Sequence, residues 1–382
     1  MKNIAVFGST GSIGTQALSV AAFHRDEFSV KVIAANRNID LVEMQIAEFS
    51  PEYVGICDES SAAELKRRCP KAKIVSGSDV NELCAISDID TVVNGVSGFA
   101  GLFPLLSALK AGKTVALANK ESIVCAHRIV NKMSRFGGRI LPVDSEQSAL
   151  FQCLEAGRRE DVQSLILTAS GGMFREFTVD QLKSVTPEMA LHHPTWNMGR
   201  KITIDSSSLF NKGLELMEAG WLFDFPPDEI RIFIHPQSIV HSMVEFKDGS
   251  VIAQLAKPDM RLAIQYALTY PARIPSPLGG VSPALLSGIT FQDPDSERFP
   301  AIRLAYEAFR EGNSLPVAYN SANEIAVDRF INGELGFTEI ACCVEYAMER
   351  IERITADSIE AVLELDNASR RLASEYKPTL RA

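Results

Sequence analysis

The sequence predicts an α/β fold in three parts: an N-terminal parallel sheet covered by helices on both faces, a central α+β region with a mixed or antiparallel sheet, and a C-terminal helical bundle. Three patterns predict it. Continuous apolar runs alternate with helical segments in the first third of the chain. Two alternating runs flank an Asp248-Gly249 turn in the middle. Four helical segments separated by short breaks fill the C-terminal part.

In the first third, short apolar runs predict strands at residues 4–7, 30–34, 91–94 and 114–118, with helices at 13–23 and 102–109. Strands that are buried on both faces of a parallel sheet are apolar throughout rather than alternating, and these runs have that character. This region is therefore predicted as one open parallel sheet.

The pattern changes after residue 143. It predicts a helix at 148–156, a strand at 164–168, a helix at 209–219 and a hairpin from strands 238–246 and 251–256. A stretch that opens rich in proline, glycine and serine predicts a linker. The predicted domains are a nucleotide-binding domain at 1–143, a catalytic domain at 144–270, a linker at 271–295 and a helical domain at 296–382.

Composition excludes several classes of protein. The chain has 382 residues, of which 46% are hydrophobic and 23% charged, with a formal net charge of −10. A nucleic-acid binder is not expected, because no basic stripe offsets this charge. No run of about 18 apolar residues predicts a membrane span. The N-terminus has no signal-peptide pattern, and the 7 cysteines lack CxxC spacing. We therefore expect a cytoplasmic, reduced protein.

The first strand leads directly into a glycine loop. Gly8, Gly11 and Gly14 lie between a predicted strand and a predicted helix. Glycines there allow a tight turn and bring the backbone close to a pyrophosphate, which the helix N-terminus stabilises. The spacing is GxxGxxG rather than the commoner GxGxxG. The alternative is a glycine-rich turn that binds nothing.

The second strand ends at Asn36-Arg37-Asn38. An NAD site usually has an acidic residue here to bind the ribose hydroxyls, whereas a ribose phosphate would be repelled by an acid and can pair with Arg37. The sequence therefore favours NADP over NAD. The alternative is that Arg37 is a solvated loop charge.

Two acids flank one serine in Asp144-Ser145-Glu146. On an extended backbone their side chains would share one face while Ser145 points away. The alternative is structural, because Asp144 and Gln147 also match a capping box for the following helix.

A third acid, Glu215, lies on the polar face of the helix predicted at 209–219, together with Asn211 and Lys212. A hydroxyl-rich Asp205–Ser208 segment precedes it, and such groups suit a phosphate monoester. An ordinary surface helix would show the same division into polar and apolar faces. Three carboxylates without nearby cysteine or histidine favour Mg²⁺ or Mn²⁺ over zinc.

Two further segments are candidates for the site. Lys120 follows a parallel strand at the edge where ligands gather, so it could face cofactor and substrate, or be a surface lysine. Residues 186–200 contain Trp196 between a proline and a glycine, which suggests a lid over the substrate. A tryptophan that anchors a static loop is the alternative. His235 and His241 are interpreted as structural.

Taken in order, the motifs resemble those of the 1-deoxy-D-xylulose 5-phosphate reductoisomerase family over nearly the whole chain. The resemblance rests on residues 8–14, 119–122, 142–146, 169–172, 193–199, 205–206 and 211–215. It implies an N-terminal Rossmann-like sheet, a homodimer that pairs through the middle sheet, and no nucleic-acid or membrane partner. The family commonly has glycine where this chain has Asn36, which tolerates the same left-handed backbone.

The resemblance also implies roles for individual residues. The metal ligands would be Asp144, Glu146 and Glu215, with Lys120 beside the reacting carbons. A phosphosugar substrate would be held by Ser145, Ser170, His193, Trp196, Ser206, Asn211 and Lys212. NADPH would be bound by Thr10, Gly11, Ser12, Ile13, Asn36, Arg37, Asn38, Asn119, Glu121 and Gly199.

The implied reaction is the rearrangement of 1-deoxy-D-xylulose 5-phosphate, by retro-aldol and aldol steps, followed by reduction with NADPH to 2-C-methyl-D-erythritol 4-phosphate. A competing interpretation is another NADP-linked dehydrogenase of the semialdehyde or homoserine type, which would lack the three-acid set. A third is a redox-sensing protein that binds NADP(H) without metal or lid. Chelator sensitivity and NADPH consumption distinguish the three.

Overall fold

The computed structural model describes residues 1–191 and 199–378. The chain forms two compact units. The first unit contains residues 1–122, 129–148 and 259–278, and the second contains 123–128, 149–258 and 279–382. Within the described ranges, no helix is long and apolar enough to cross a membrane.

The first unit is built on a parallel sheet of seven strands in the order β4-β3-β2-β1-β5-β6-β7. The order reverses direction beside β1, so the crevice at the carboxyl ends of β1 and β5 is the place where such sheets bind ligands. The strands are β1 (Lys2–Phe7), β2 (Phe28–Ala35), β3 (Tyr53–Ile56), β4 (Lys73–Ser76), β5 (Thr91–Asn94), β6 (Thr114–Leu117) and β7 (Arg139–Pro142).

Helices connect these strands, and the apolar character of the strands follows from their burial. All four residues of β5 are buried, as are the last four of β1. The helices from the N-terminus to the start of the second sheet are α1 (Ser12–Phe23), α2 (Ile39–Phe49), α3 (Glu59–Arg68), α4 (Leu102–Lys110), α5 (Lys120–Ser134) and α6 (Ser145–Leu154).

The second unit contains a mixed sheet of four strands in the order β11-β10-β8-β9. Strand β10 is antiparallel to both β8 and β11, while β8 and β9 are parallel. Gly249 in the β10–β11 turn has a φ of 86°, as the Asp248-Gly249 turn requires. The strands are β8 (Val162–Ala169), β9 (Ile230–Ile234), β10 (Val240–Phe246) and β11 (Val251–Leu255).

The remaining helices include the C-terminal bundle, in which α14 packs against α13, α15 and α16. A buried hydrogen bond of 2.5 Å from Ser321 to Asp366 ties α14 to α16. These helices are α7 (Val179–Lys183), α8 (Pro187–Ala190), α9 (Arg200–Ser208), α10 (Phe210–Phe223), α11 (Met260–Thr269), α12 (Pro283–Leu286), α13 (Ala301–Glu311), α14 (Leu315–Ile331), α15 (Glu339–Arg350) and α16 (Ile359–Glu375).

The predicted fold class is confirmed: a parallel N-terminal sheet, a mixed second sheet and a helical C-terminal bundle. Several local elements differ from prediction. Helix α6 begins three residues earlier than predicted, and elements such as β3, β9, α9 and α11 were not predicted. Helix α11 packs on α1, β6 and β7, so residues 259–278 belong to the first unit rather than extending the central region.

Candidate active site

The glycine loop after β1 requires glycine at two of its positions for steric reasons. Gly8 has a φ of 75°, and a methyl group there would lie 2.6 Å from the carbonyl oxygen of Gly95, so only glycine fits. A methyl group at Gly14 would overlap the Gly8 carbonyl group. The loop therefore brings its own backbone, and that of β5, close to the N-terminus of α1.

The N-terminus of α1 is suited to an anion. Gly11 precedes the helix without a side-chain cap, and the first turn has no acidic residue. The backbone N–H groups at Ser12 and Ile13 lie at the positive end of the helix dipole. By contrast, α2 and α3 are capped by Asn38 and Asp58. Of these three helix ends, the one after the glycine loop is the one left open to a pyrophosphate.

Arg37 lies at the carboxyl end of β2, where a ribose phosphate would be bound. Its Nε donates to Asp58 Oδ1 at 3.2 Å, and its side chain is 76% exposed. Hydrogen bonds from Ser60, then from Ser61, hold the pKa of Asp58 well below its usual range. Arg37 thus has an anionic partner that orients it through Nε, while its terminal nitrogens donate to no acceptor among residues 1–191 and 199–378. The backbone at Asn36 is not left-handed, because its φ is not positive, so this position does not require glycine.

The start of α5 holds three of the predicted site residues. Asn119 caps this helix through Ser122 N at 3.2 Å and donates to Glu121 Oε2 at 2.9 Å. A methyl group at Gly101 would lie 2.5 Å from Asn119, so the loop after β5 packs directly on this cap. Lys120 is only 5% exposed, so the alternative of a surface lysine is wrong.

Asp144 is bonded on both carboxylate oxygens. Oδ2 lies 2.6 Å from Lys120 Nζ, in a pair whose side chains are 6% and 10% exposed. Oδ1 accepts from the backbone N–H of Glu146 at 3.2 Å and of Gln147 at 3.5 Å, which makes Asp144 the cap of α6. Asp144 therefore caps α6, as the structural alternative requires, and this function uses only one of its two oxygens.

The predicted extended backbone around Glu146 is wrong. Because α6 begins at Ser145, Glu146 lies in its first helical turn. Ser145 Oγ donates to Glu146 Oε2 at 2.5 Å, so the two side chains lie together rather than on opposite faces. The helix N-terminus also favours the carboxylate of Glu146 electrostatically.

The predicted phosphate residues come from three segments of the second unit. Ser170 follows β8, and a methyl group at Gly172 would lie 2.6 Å from Ser207 Cα, so this loop packs on the end of α9. Leu209, with a φ of 65°, turns the chain from α9 into α10. Around this turn Ser206 and Asn211 are only partly buried, whereas their neighbours in the sequence are buried.

Lys212 and Glu215 form an ion pair one helical turn apart on α10, with side chains 4% and 1% exposed. Asn211 Nδ2 donates to the other oxygen of Glu215. The alternative of an ordinary surface helix is wrong, because the charged side chains are buried. A buried carboxylate is costly unless it is paired, and both oxygens of Glu215 have donors.

The three predicted metal ligands come together. One carboxylate oxygen from each of Asp144, Glu146 and Glu215 lies within 4.8 Å of the others. The donor set contains only oxygens, which hard cations such as Mg²⁺ and Mn²⁺ prefer over zinc. Two of the three acids also pair with lysines, Lys120 and Lys212.

The two histidines interpreted as structural are buried. His235 Nε2 accepts from the backbone N–H groups of Ile239 and Val240, both at 3.1 Å, while Nδ1 faces the carbonyl oxygen of Thr290 at 2.9 Å. His241 lies on β10, and burial lowers its pKa to about 4. Both are therefore neutral at pH 7.

The predicted lid, residues 186–200, is described in part. Helix α8 occupies its start and Gly199 precedes α9. His193 and Trp196 lie outside the described residues. The sequence did not predict that Asp205, part of the hydroxyl-rich segment, would be hydrogen-bonded to Asn323, at 2.8 Å. Buried polar residues in predicted helices are the only signal that could have indicated them.

Three family models match most of the chain. The model described as 1-deoxy-D-xylulose 5-phosphate reductoisomerase matches residues 4–127, the one for the C-terminal domain of that enzyme matches 140–223, and the DXP reductoisomerase C-terminal domain model matches 255–372. Among similar proteins, the 1-deoxy-D-xylulose 5-phosphate reductoisomerase of Geotalea daltonii is 46% identical over 98% of this chain and 99% of its own. That of Chlorobaculum tepidum is 45% identical over 98% and 99%.

Solved structures agree with these matches. A DOX-P reductoisomerase in complex with NADPH, fosmidomycin and magnesium superimposes with a TM-score of 0.93 at 35% identity, covering 98% of both chains. The Zymomonas mobilis enzyme in complex with NADPH has a TM-score of 0.92 at 39% identity, also over 98% of both chains.

Proposed function

The chain belongs to the 1-deoxy-D-xylulose 5-phosphate reductoisomerase family, and from that premise we propose that Asp144, Glu146 and Glu215 hold the divalent ion that its reaction requires. Its activity is the NADPH- and metal-dependent conversion of 1-deoxy-D-xylulose 5-phosphate into 2-C-methyl-D-erythritol 4-phosphate in non-mevalonate isoprenoid biosynthesis. The interpretations as another dehydrogenase or as a redox sensor are therefore wrong.

One observation carries the assignment of the ligands: the three carboxylates lie within 4.8 Å of one another. Three negative charges this close repel each other unless cations offset them. Lys120 and Lys212 offset two of the three. A divalent ion would offset the rest and would act as a Lewis acid on the substrate's ketone and hydroxyl oxygens.

The ammonium group of Lys120 has a second proposed function, in stabilising charge on the substrate. Lys120 is buried against Asp144, so it is oriented before substrate arrives. Negative charge that develops on a substrate oxygen beside it would be stabilised without reorganisation of solvent. We assign Lys120 to this place, beside the reacting carbons.

We assign the phosphate of the substrate to Ser170, Ser206, Asn211 and Lys212, and its hydroxyl groups to Ser145 and Glu146. Hydroxyls, an amide and one ammonium group supply the donors that a phosphate monoester accepts. The packing of Gly172 on Ser207 supports this assignment, because it brings the loop that carries Ser170 onto the helix that carries Ser206. His193 and Trp196 would close over the substrate from the predicted lid at 186–200.

NADPH supplies the hydride for the reduction step. Its pyrophosphate is assigned to the open N-terminus of α1, and its ribose phosphate to Arg37 with Asn36 and Asn38. The nicotinamide side is assigned to Asn119, Glu121 and Gly199. Support comes from the strand order, which places the glycine loop at the point where nucleotides bind in open parallel sheets. Thr10, Gly11, Ser12 and Ile13 complete the cofactor set.

Four further assignments extend this proposal. The chain would act as a cytoplasmic homodimer that pairs through the second sheet, and the metal would be either Mg²⁺ or Mn²⁺. The predicted division into cofactor, catalytic and helical domains is proposed as a division of functions along the chain, distinct from the two compact units. On β11, one of the two edge strands of the second sheet, Val251 and Ile252 are 48% and 40% exposed, which suits such pairing.

The test follows NADPH absorbance with 1-deoxy-D-xylulose 5-phosphate, with and without EDTA, in wild type and Glu215→Gln. We expect activity to be lost with EDTA and restored by Mg²⁺. The variant should need at least about tenfold more Mg²⁺ and bind NADPH as wild type does, since a charge-assisted interaction is worth about 1.5–3 kcal/mol. The control is Glu229→Gln, at a partly exposed surface pair. Equal loss of Mg²⁺ and NADPH affinity would contradict the assignment of Glu215.

A further inference from the structure

Helix α14 of the C-terminal bundle carries polar residues that are completely buried. Tyr319, Asn320 and Asn323 are each 0% exposed. Burial of amides and a phenol costs free energy unless they are hydrogen-bonded, so their partners indicate what this part of the bundle does. Two of the three, Asn323 and Tyr319, contact residues of α9 and α10 respectively.

Asn323 bonds to a residue far away in the sequence. Its Nδ2 donates to Asp205 Oδ1 at 2.8 Å, and Lys201 Nζ lies 2.7 Å from Asp205 Oδ2. Asp205 is 1% exposed, so its carboxylate depends on these donors. Lys201 is on α9 itself, whereas Asn323 is on another helix. Of these two donors, Asn323 is therefore the one that fixes the orientation of α9 relative to the bundle.

Tyr319 makes a second contact, with α10. A methyl group at Gly213 would overlap the hydroxyl of Tyr319, and the ring centroids of Phe210 and Tyr319 are 5.1 Å apart. The hydroxyl donates to the carbonyl oxygen of Ala301 at 3.1 Å. Burial, and then the charge of Asp205, raises the pKa of Tyr319 well above its usual value, so it stays a neutral donor.

These contacts lie on either side of the turn at Leu209, a non-glycine residue with a φ of 65°. Such a backbone conformation persists only when the surrounding structure holds it. Ser206 follows Asp205 directly, and Asn211 and Lys212 directly precede Gly213. The bundle thus holds the backbone on both sides of the residues assigned to the substrate's phosphate.

We infer that Asn323 is a positioning residue for the phosphate site, acting through Asp205 to hold α9 and with it Ser206. The inference rests on the proposed function, which assigns the phosphate to that site. It gives the C-terminal bundle a part in substrate binding, although Asn323 itself touches no substrate. A displacement of about 1 Å at a binding site can cost roughly a hundredfold in catalysis. A displaced α9 should therefore change the steady-state kinetics with the substrate measurably.

The test replaces the amide by an apolar group of similar size, Asn323→Leu. We expect the KM for 1-deoxy-D-xylulose 5-phosphate to rise about tenfold or more, while the KM for NADPH and the Mg²⁺ requirement stay within about twofold. Asn320→Leu is the matched control, because Asn320 is on the same helix, equally buried, and donates to Glu324 of its own helix at 3.3 Å. It should leave the substrate KM near the wild-type value.

A partner exchange separates positioning from folding. Asn323→Asp alone and Asp205→Asn alone should each raise the substrate KM, whereas the double variant recreates an amide-to-carboxylate bond in the opposite direction and should recover most of the affinity. If Asn323→Leu does not fold, Asn323→Ser takes its place as the milder loss of the amide.

Three results would overturn the inference: a folded Asn323→Leu or Asn323→Ser with wild-type substrate KM, equal increases in the KM for NADPH and substrate, or no recovery in the double variant. Failure of the proposed function is a different result, since it would appear as Mg²⁺-independent activity of the wild-type protein.

Discussion

Lys120 and Asp144 form a buried ion pair in which Nζ lies 2.6 Å from Oδ2, while Oδ1 of the same carboxylate caps helix α6 through Glu146 N at 3.2 Å. The carboxylate is therefore held from two sides, by the side chain of the first residue of α5 and by the backbone of α6. This arrangement would preorganise Asp144 for its proposed function as a metal ligand, because its carboxylate is already held in one orientation.

The two functions of Asp144 can be separated by two substitutions. Asp144→Asn keeps a good helix cap but removes the charge, whereas Asp144→Ala removes both. We expect both variants to require at least about tenfold more Mg²⁺, since each loses a charged ligand. Both variants remove the carboxylate that pairs with the buried ammonium group of Lys120, so both should lose stability. The alanine variant should lose about 1 kcal/mol more, because it also loses the helix cap. Steady-state kinetics against Mg²⁺ and urea unfolding measure the two effects. A wild-type Mg²⁺ requirement in Asp144→Asn would remove Asp144 from the metal site.

Arg37 determines the preference for NADPH over NADH in our assignment. Arg37→Ala should lower kcat/KM for NADPH by about tenfold or more, with little change for NADH, because a charge-assisted phosphate bond of about 1.5–3 kcal/mol is lost. Arg25→Ala is the matched control, since Arg25 is also an exposed arginine paired with an acid, Glu48, at 3.1 Å. Unchanged selectivity between the two cofactors in Arg37→Ala would refute the assignment.

Lys212 is assigned to the substrate's phosphate. We expect Lys212→Ala to raise the KM for 1-deoxy-D-xylulose 5-phosphate by roughly tenfold or more, while the KM for NADPH stays unchanged. The variant also leaves Glu215 buried without its ammonium partner, so a lower thermal stability should accompany the effect. Lys183→Ala, at an exposed pair with Asp180, is the control. Wild-type substrate affinity in Lys212→Ala would exclude it from the pocket.

His127 makes stability depend on pH. Its ring stacks on Trp221 with centroids 4.1 Å apart, and burial, assisted by Arg128, lowers its pKa from 6.5 to about 4. As pH falls from about 6.5 to 4, His127 binds a proton in the unfolded chain but not in the folded chain. Stability from this histidine is therefore present above pH 6.5 and lost towards pH 4, by up to about 1.4 kcal/mol per pH unit.

The corresponding variant, His127→Phe, keeps a flat ring but cannot titrate. We expect urea unfolding between pH 7 and 4.5 to show a shallower pH dependence than wild type, though not a flat one, because His241 also has a pKa of about 4. An identical slope in both proteins would show that His127 does not contribute.

Much of the fold could be predicted because it depends on local patterns. The apolar runs that became β1, β5 and β6 lie within a few residues of prediction, and the four predicted C-terminal helical segments correspond to α13, α14, α15 and α16. The hairpin of β10 and β11 followed from its Asp-Gly turn. The start of α6 was missed, because an acid at this place suits an extended ligand segment and a helix cap equally well.

The sequence by itself determined the fold class, the glycine loop, the arginine at the end of β2 and the identity of the three acids, since each depends on residue type and short-range spacing. Only the tertiary structure decided that Glu215 lies near Asp144 and Glu146, that Lys120 is buried, and that Asn323 reaches Asp205. These are distances between residues far apart in the chain. They result from how helices and sheets pack, and periodicity within one element contains no information about its neighbours in space.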